Sequence, residues 1–150
     1  MNKVQTWEKR FSHKLRKNHK HFAKKVFHRL MKKTSVLKSS LKKRSKEYEV
    51  KCEITLDEIR GLFLRYYGRK CRYCRDNLIV SNIVCDHIYP ISMGGNSDVY
   101  NLQIICRRFN TRKGNLTHKE FDSLLKFLSN KTVNMRDYVL RKLSKGDLFA

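Results

Sequence analysis

The sequence predicts an α+β fold in which a basic helical arm precedes a small mixed domain and further helices follow. Three observations support this class. Between residues 7 and 41, apolar residues recur at steps of four and seven, which keeps them on one face of a helix. Residues 47 to 54 alternate polar and apolar side chains, a period typical of a half-buried strand. Two Thr-x-x-Glu patterns, beginning at Thr55 and Thr117, mark helix starts.

The arm, residues 1–46, is the most basic part of the chain. It carries 17 Lys and Arg side chains against one acidic side chain, a net charge of +16, whereas residues 47–150 carry 18 against 12, a net charge of +6. Thr34 and Ser35 favour helix caps over helix interiors, so we expect a break near residue 34. The apolar stripe would pack on the domain while the basic faces meet phosphate. A membrane-surface helix shares this pattern and is the less favoured alternative.

The predicted domain spans residues 47–130, and residues 131–150 form a terminal helical segment. The first helix after Thr55 should end at Gly68, because glycine adopts the left-handed conformation that ends many helices. We expect a hairpin with a long connection, because short β-prone runs surround a loop rich in Gly, Asn and Ser. These runs are 78–80, 83–85 and 102–105.

Three helices are predicted after the hairpin. A short helix over Arg107–Lys113 should end near Gly114. A second opens at Thr117 and places Leu and Phe side chains on one face. The last runs over 135–144, with Asn134 as its cap and Gly146 beyond its end.

The overall charge indicates a polyanionic partner. The 150 residues carry a formal net charge of +22, which favours nucleic acid over self-association. No apolar run approaches the roughly 20 residues that span a bilayer, and the start of the chain lacks the apolar core of a secretory signal. A cytoplasmic, nucleoid-associated setting with five reduced cysteines is therefore expected, and metal binding is favoured over disulfides.

The chemistry-bearing residues cluster between Cys71 and Asn115. In order they read Cys71-x-x-Cys74, Cys85-Asp86-His87-x-x-Pro90, Gly94-Gly95-Asn96, Asn101-Leu-Gln103 and Cys106-x-x-x-Asn110-x-x-Lys113-Gly-Asn115. Hydrolysis of a phosphodiester requires a base for the attacking water and a cation for the developing charge. His87 can supply the base, and the oxygens of Asp86 and Asn110 suit Mg²⁺ or Mn²⁺ better than zinc. Neighbouring strand residues point to opposite faces, so Asp86 and His87 can share a site only if the chain bends there.

This order resembles the HNH (His-Asn-His) endonuclease family, over about a third of the chain. The resemblance implies a ββα-metal core, with Asp86 as a metal ligand and His87 as general base. It further implies that Asn101 supports the loop carrying the base and that Asn110 is the third site residue, on the helix. It implies cleavage of DNA to 5′-phosphate and 3′-hydroxyl ends, and small free-standing chains of this type resemble phage or intron-encoded homing endonucleases.

Many members of that family also bind a structural zinc through two Cys-x-x-Cys pairs. Here Cys71 and Cys74 form the first pair, but the second retains only Cys106, because Phe109 replaces its partner. Three thiolates leave tetrahedral zinc one ligand short. The remaining alternatives are water, a more distant residue, or a site that has become ordinary packing with Phe109 in the core. The distant candidates are His118, Cys85 and Cys52.

The basic residues near the site are predicted to hold backbone phosphates. They are Arg107, Arg108, Arg112 and Lys113, with Arg69, Lys70, Arg72 and Arg75 as an extension. A solvated basic helix face is the alternative interpretation. The sequence thus predicts a divalent-metal-dependent DNA endonuclease, whose targeting comes from the arm, the terminal helices or a protein partner. A non-catalytic nucleic-acid-binding protein is the alternative class, and RNA is the alternative substrate.

Overall fold

A computed structural model describes residues 5–7, 9 and 20–144 of the chain. Five helices and two strands are named within these residues. In chain order they are α1 (Lys20–Glu47), α2 (Leu56–Tyr66), β1 (Ile83–His87), β2 (Leu102–Cys106), α3 (Arg107–Lys113), α4 (His118–Ser129) and α5 (Val133–Ser144). This mixture of helices with a two-stranded antiparallel sheet is compatible with the predicted α+β class.

The helix α1 runs unbroken past residue 34, so the predicted break is wrong. The Thr34 hydroxyl donates to the Met31 carbonyl at 2.7 Å and is fully buried, which removes its competition with the helix backbone. The apolar stripe packs into the core through Val26, Leu30 and Leu41. Phe22, another member of the predicted stripe, is 58% exposed and does not join the core. Positions 11 and 15 of the stripe lie outside the described residues.

The segment after α1 is extended but is not the predicted strand. It forms a single bridge between Cys52 and Ser97, without a ladder of paired residues. The alternation itself is real, because Ile54 is buried and its neighbours Glu53 and Thr55 are exposed. Glu49 has a positive φ of 54°, which interrupts the regular extended geometry.

The first capping box forms as predicted. Glu58 N–H donates to the Thr55 hydroxyl oxygen at 3.2 Å, and the Glu58 carboxylate accepts from Thr55 N–H at 2.7 Å. The helix α2 buries Ile59 and Phe63 and stops before Gly68, which has a φ of +77°. The prediction for this helix is confirmed.

The hairpin also forms as predicted, with a long connection over residues 88–101. The strands β1 and β2 pair antiparallel in a regular register from Ile83 opposite Cys106 to His87 opposite Leu102. The run 78–80 is not a strand; residues 80–82 form a turn, and Leu78 is buried beneath it. The helix α3 follows β2 directly and contacts both strands, which brings its side chains near Asp86 of β1.

The last two helices contribute to the core, and α5 packs against α3. The second capping box, between Thr117 and Glu120, is present, and α4 buries Phe121 and Leu128. The helix α5 begins at Val133, before the predicted start, because Thr132 acts as the cap in place of Asn134: its hydroxyl accepts from Met135 N–H at 3.3 Å. Position 146, predicted to follow the end of this helix, lies outside the described residues.

One hydrophobic cluster joins α1, α2, the hairpin and the later helices. It includes Leu30, Ile59, Ile105, Phe121 and Leu140, so α1 contributes to the same core as the hairpin. The division at residues 46 and 130 stays a prediction. In the described part of the chain, no helix has the length and apolar character needed to cross a membrane.

Candidate active site and thiol cluster

Asp86 and His87 are the last two residues of β1, and their side chains contact different parts of the protein. The register of β1 and β2 shows no bulge at either residue, so the side chains leave opposite faces of the strand. Asp86 contacts Gln103 of β2 and Lys113 of α3, whereas His87 contacts Ser97 of the long loop. The bend required to direct both side chains into one site is therefore not present within β1.

Asp86 is a largely buried carboxylate with two partners. Its Oδ2 atom accepts from Gln103 Nε2 at 2.9 Å and lies 3.1 Å from Lys113 Nζ. Burial raises the pKa of Asp86 above its usual value, and the Lys113 ammonium and the Gln103 hydrogen bond oppose that rise. Asp86 thus offers a carboxylate, the ligand type that a hard cation prefers, on a face where the Lys113 ammonium is its present counter-charge.

Lys113 is inside the protein, which corrects its predicted place among the surface cations. It is only 2% exposed, and its ammonium also donates to the His87 carbonyl at 2.9 Å. A buried ammonium requires an opposite charge and hydrogen bonds to offset its desolvation, and Asp86 and the strand end supply them. In this arrangement the charge of Lys113 fixes α3 to the end of β1.

His87 is buried and held through one ring nitrogen. It is 5% exposed, and its Nε2 atom lies 2.9 Å from the Ser97 hydroxyl. That hydroxyl lies 2.9 Å from the hydroxyl of Ser45 on α1, so a hydrogen-bonded chain links α1, the loop and β1. Burial lowers the pKa of His87 to about 4, helped by the positive charges of Arg44 and Lys113, so the imidazole is neutral at physiological pH.

Asn101 holds the loop that connects the strands. Its Oδ1 accepts from Tyr89 N–H at 2.8 Å, and its Nδ2 donates to the carbonyls of Tyr89 at 3.0 Å and Asn96 at 2.8 Å. Gly95 fits beneath these groups because a Cβ there would collide with the Tyr89 carbonyl and lie 2.9 Å from Asn101 Nδ2. Asn101 therefore restrains the loop that follows His87, and its contribution to catalysis stays a prediction.

Asn110 lies on α3, one turn before Lys113, and is half-buried. Its carbonyl accepts from Gly114 N–H at 3.2 Å. Within residues 20–144, its side-chain amide has no hydrogen-bond partner, so the carboxamide is not committed to a neighbour. The convergence of Asp86, His87 and Asn110 on one ion stays a prediction.

A polar network beside Asp86 was not anticipated from the sequence. Tyr73 Oη accepts from Gln103 Nε2 at 3.4 Å and lies 2.7 Å from His118 Nδ1. His118 Nε2 lies 3.1 Å from the Asp122 carboxylate. The available signal was the i,i+4 spacing of His118 and Asp122 in a predicted helix, but Tyr73 and Gln103 join them only through tertiary packing.

The three predicted cysteines come together. The sulfur atoms of Cys71, Cys74 and Cys106 all lie within 4.8 Å of one another, and Cys74 Sγ is 3.5 Å from Cys106 Sγ. Burial raises the pKa of the Cys71 thiol, but hydrogen bonds from backbone N–H groups, including that of Cys106, outweigh this and lower it overall. Burial raises the pKa of Cys106 to about 12. Three sulfur donors at this spacing fit three positions of a tetrahedral zinc site.

None of the candidates for a fourth ligand joins this cluster among the described residues. His118 is bound to Tyr73 and Asp122, and Cys52 lies 3.9 Å from Lys38 Nζ. Phe109 is 7% exposed, stacked on Tyr73 with ring centroids 5.9 Å apart, which confirms it as a core residue. Asp76 was missed: burial raises the pKa of the Cys74 thiol, and the Asp76 carboxylate, which pairs with Arg108, also raises it.

The predicted arginines differ in what they contact. Arg108 pairs with Asp76 at 2.9 Å and Arg112 with Asp137 at 2.9 Å, and both guanidinium groups lie over the Phe109 ring. Arg107 is exposed and forms no ion pair within the part of the chain that the structure describes. Phosphate binding by these three residues stays a prediction.

One comparison with known proteins identifies this region. Residues 71–125 match the family model described as HNH endonuclease, which confirms the resemblance predicted from the motifs. The matched segment contains the cysteine cluster, Asp86, His87, Asn101 and α3. No match was found among curated proteins or among solved structures.

Proposed function

We propose, from the premise that residues 71–125 are an HNH endonuclease region, that this protein is a divalent-metal-dependent endonuclease acting on DNA. The observation that carries the proposal is that this one segment contains every predicted reactive position, from Cys71 to Lys113, in the order that the family resemblance implies. The net charge of +22 supports a polyanionic substrate.

Asp86 and Asn110 would hold the metal, which we take to be Mg²⁺ or Mn²⁺. Two features support this choice: a carboxylate and a carboxamide are hard oxygen donors, and the Asn110 amide is uncommitted among the described residues. An ion bound there would neutralise charge on the scissile phosphate and on the departing 3′ oxygen. Lys113, which pairs with Asp86, favours the ionised form of that carboxylate and opposes the effect of burial.

His87 would accept the proton of the attacking water. A neutral imidazole has one protonated nitrogen and one lone pair. If Nε2 donates to the Ser97 hydroxyl, the lone pair is on Nδ1, and Ser97 fixes both the tautomer and the ring orientation. The low pKa of His87 supports this role, because the imidazole is neutral at physiological pH and one ring nitrogen can accept a proton. Asn101 would keep the loop after His87 in place.

The thiol cluster would hold a structural zinc. Cys71, Cys74 and Cys106 would provide three ligands. Water, or Asp76 after a movement of its side chain, would provide the fourth, since Asp76 is near enough to raise the pKa of the Cys74 thiol. Such an ion would tie the turn at residues 72–74 to the start of α3. There, Phe109 stands in place of the second cysteine of the family's second pair.

Beyond the chemistry, we propose a cellular setting and a mode of targeting. A homing-type role in phage or host cytoplasm, close to the nucleoid, suits a small basic chain of this kind. Recognition would come from the arm, the terminal helices or a protein partner.

A nicking assay on supercoiled DNA tests the proposal. We expect cleavage with Mg²⁺, none with EDTA, and a loss of at least about 100-fold in His87→Ala. The matched control is His118→Ala, which removes an imidazole on the Asp86 face and should retain cleavage. Loss in His118→Ala with retention in His87→Ala would transfer the role of base to His118. A parallel RNA substrate tests the choice of DNA.

One structural observation favours the second candidate, a non-catalytic nucleic-acid-binding protein. The His87 ring is buried against Ser97, and Asp86, on the opposite face, is paired with Lys113. In that case both residues serve folding, and the chain would bind DNA without metal-dependent cleavage. The assay separates the two, because binding without nicking at any Mg²⁺ or Mn²⁺ concentration supports the second candidate alone.

A further inference from the structure

A cationic groove lies between α1 and the turn that precedes β1. It encloses about 420 Å³, and its charged lining consists of Arg29, Lys32 and Lys33 from α1 and Arg107 from the start of α3. Ser81 contributes a hydroxyl, and two valines form the apolar part of the wall. Arg107 is one of the cations predicted near the site, whereas the other three belong to the basic arm and lie outside the segment that matches the family.

The positive charges in this groove are not balanced by acidic side chains in its lining. Burial lowers the pKa of Lys33, and the neighbouring charges of Arg107 and Arg29 lower it further. Like charges held together in this way repel one another, and an anion between them would remove the repulsion. The groove is therefore arranged to receive an anion.

Local contacts hold the Lys33 ammonium and the backbone segments that carry the other cations. Arg29, Lys32 and Lys33 are spaced i, i+3 and i+4, which places them on one face of α1. Lys33 Nζ donates to the Ile83 carbonyl at 3.2 Å, and the backbone N–H of Arg107 donates to the Asn82 carbonyl at 2.7 Å. Both walls of the groove are thus attached to the beginning of β1, which reduces the conformational entropy lost when an anion binds.

We propose that this groove binds a backbone phosphate of nucleic acid. Residues of α1 and Arg107 of α3 would then contact the same nucleic-acid strand at a point away from Asp86. The inference rests on the proposed function for the identity of the polyanion. An open, cation-lined groove without aromatic side chains suits a phosphate group better than a base. Ile83 and Asp86 are three residues apart on β1, roughly 10 Å along the strand. The contact would therefore lie a few nucleotides from the scissile bond.

The test is the salt dependence of binding to a short DNA duplex, measured in EDTA so that cleavage plays no part. The variant is Arg29→Gln with Lys32→Gln. The matched control is Arg65→Gln with Lys119→Gln, which removes the same two residue types from exposed positions outside the groove. Loss of one phosphate contact should reduce the slope of log K against log salt concentration by about 0.9 in the groove variant alone.

Three outcomes would overturn the inference. The slope of the groove variant could equal that of the parent, or the control variant could show the same reduction, which would indicate general electrostatics. Alternatively, inorganic phosphate at constant ionic strength could raise the melting temperature of the parent but not of the groove variant, with an unchanged slope on DNA. That result would assign the groove to a free anion.

Failure of the proposed function gives a different pattern. A parent protein that binds DNA with a groove-dependent slope but never nicks it would refute the nuclease and leave the groove assignment intact. A parent that nicks DNA while the groove variant keeps the full slope would refute the groove alone. The two single variants, Arg29→Gln and Lys32→Gln, repeat the measurement with half the change in charge and should each give an intermediate slope.

Discussion

Lys113 and Asp86 form an ion pair of 3.1 Å between α3 and the end of β1, with the lysine side chain 1% exposed and the aspartate 12%. The pair lies at the centre of the region that matches the HNH family. It joins the element carrying Asn110 to the strand carrying Asp86 and His87. Any cation that binds Asp86 must do so in the presence of this ammonium, so the pair sets the charge of the proposed metal site.

Lys113→Met should destabilise the fold by about 3 kcal/mol at pH 7, because it leaves a buried carboxylate without its opposite charge. Burial already raises the pKa of Asp86 in the folded state, and loss of Lys113 removes the main opposing influence. The Asp86 contribution to stability should therefore fall as pH rises from the unfolded pKa through the folded one, and more steeply in the variant, so the stability difference between parent and variant should widen with pH. Urea unfolding in EDTA at pH 5 and pH 7 measures this.

The control for that variant removes both charges. Asp86→Asn with Lys113→Met should recover part of the lost stability, since the remaining groups are neutral. A single variant as stable as the parent at pH 7 would mean that the pair contributes nothing to folding.

His87 should make stability fall in acid. Its folded pKa of about 4 lies below the unfolded value near 6.5, so between these limits the unfolded chain takes up a proton that the folded chain does not. Its contribution is complete above about pH 6.5 and is lost as the pH falls toward 4, at most about 3 kcal/mol. Unfolding in EDTA across this range, with His87→Gln for comparison, measures the effect. An equal pH dependence in both proteins would contradict it.

Ser97 should act as a positioning residue for His87. Ser97→Ala removes the hydroxyl that orients the ring, and we expect kcat for nicking to fall about 10-fold with KM unchanged, as when the partner of a site histidine is lost. The control is Ser92→Ala, an exposed serine in the same loop. Ser97→Thr keeps a hydroxyl and should restore much of the rate. An Ala variant with normal kcat would show that the hydrogen bond serves only the fold.

Local patterns predicted the elements well, because their causes lie within a few residues of sequence. The Thr55 and Thr117 capping boxes and the hairpin are in this class. The gathering of Cys71 with Cys106 was also predictable, but from the family resemblance. The unbroken helix at Thr34 was not predictable, because it depends on the buried hydrogen bond from the Thr34 hydroxyl to the Met31 carbonyl.

The arrangement around Asp86 could not be obtained from sequence, because it depends on which groups tertiary packing brings to each face of β1. In the sequence, Lys113 belongs to a basic run typical of a protein surface. In the structure it is buried, because its ammonium pairs with the Asp86 carboxylate and donates to the His87 carbonyl. Ser97 gave no signal as the partner of His87, since a serine in a polar loop is ordinary. The groove residues Arg29 and Arg107 are far apart in the chain and meet only because tertiary packing brings α1 to the start of β1.

The thiol cluster should bind about one zinc per chain, and Cys74→Ser should lower the zinc content because it removes one of three sulfur donors. Cys85→Ser is the matched control, since Cys85 lies outside the cluster and should leave the zinc content unchanged. Elemental analysis of the purified proteins gives the stoichiometry, and a chelator should lower the melting temperature of the parent. Asp76→Asn distinguishes the fourth ligand: weaker zinc retention would indicate the carboxylate, and unchanged retention would indicate water. A parent free of zinc after growth and purification with added zinc would contradict the site and assign these cysteines to packing.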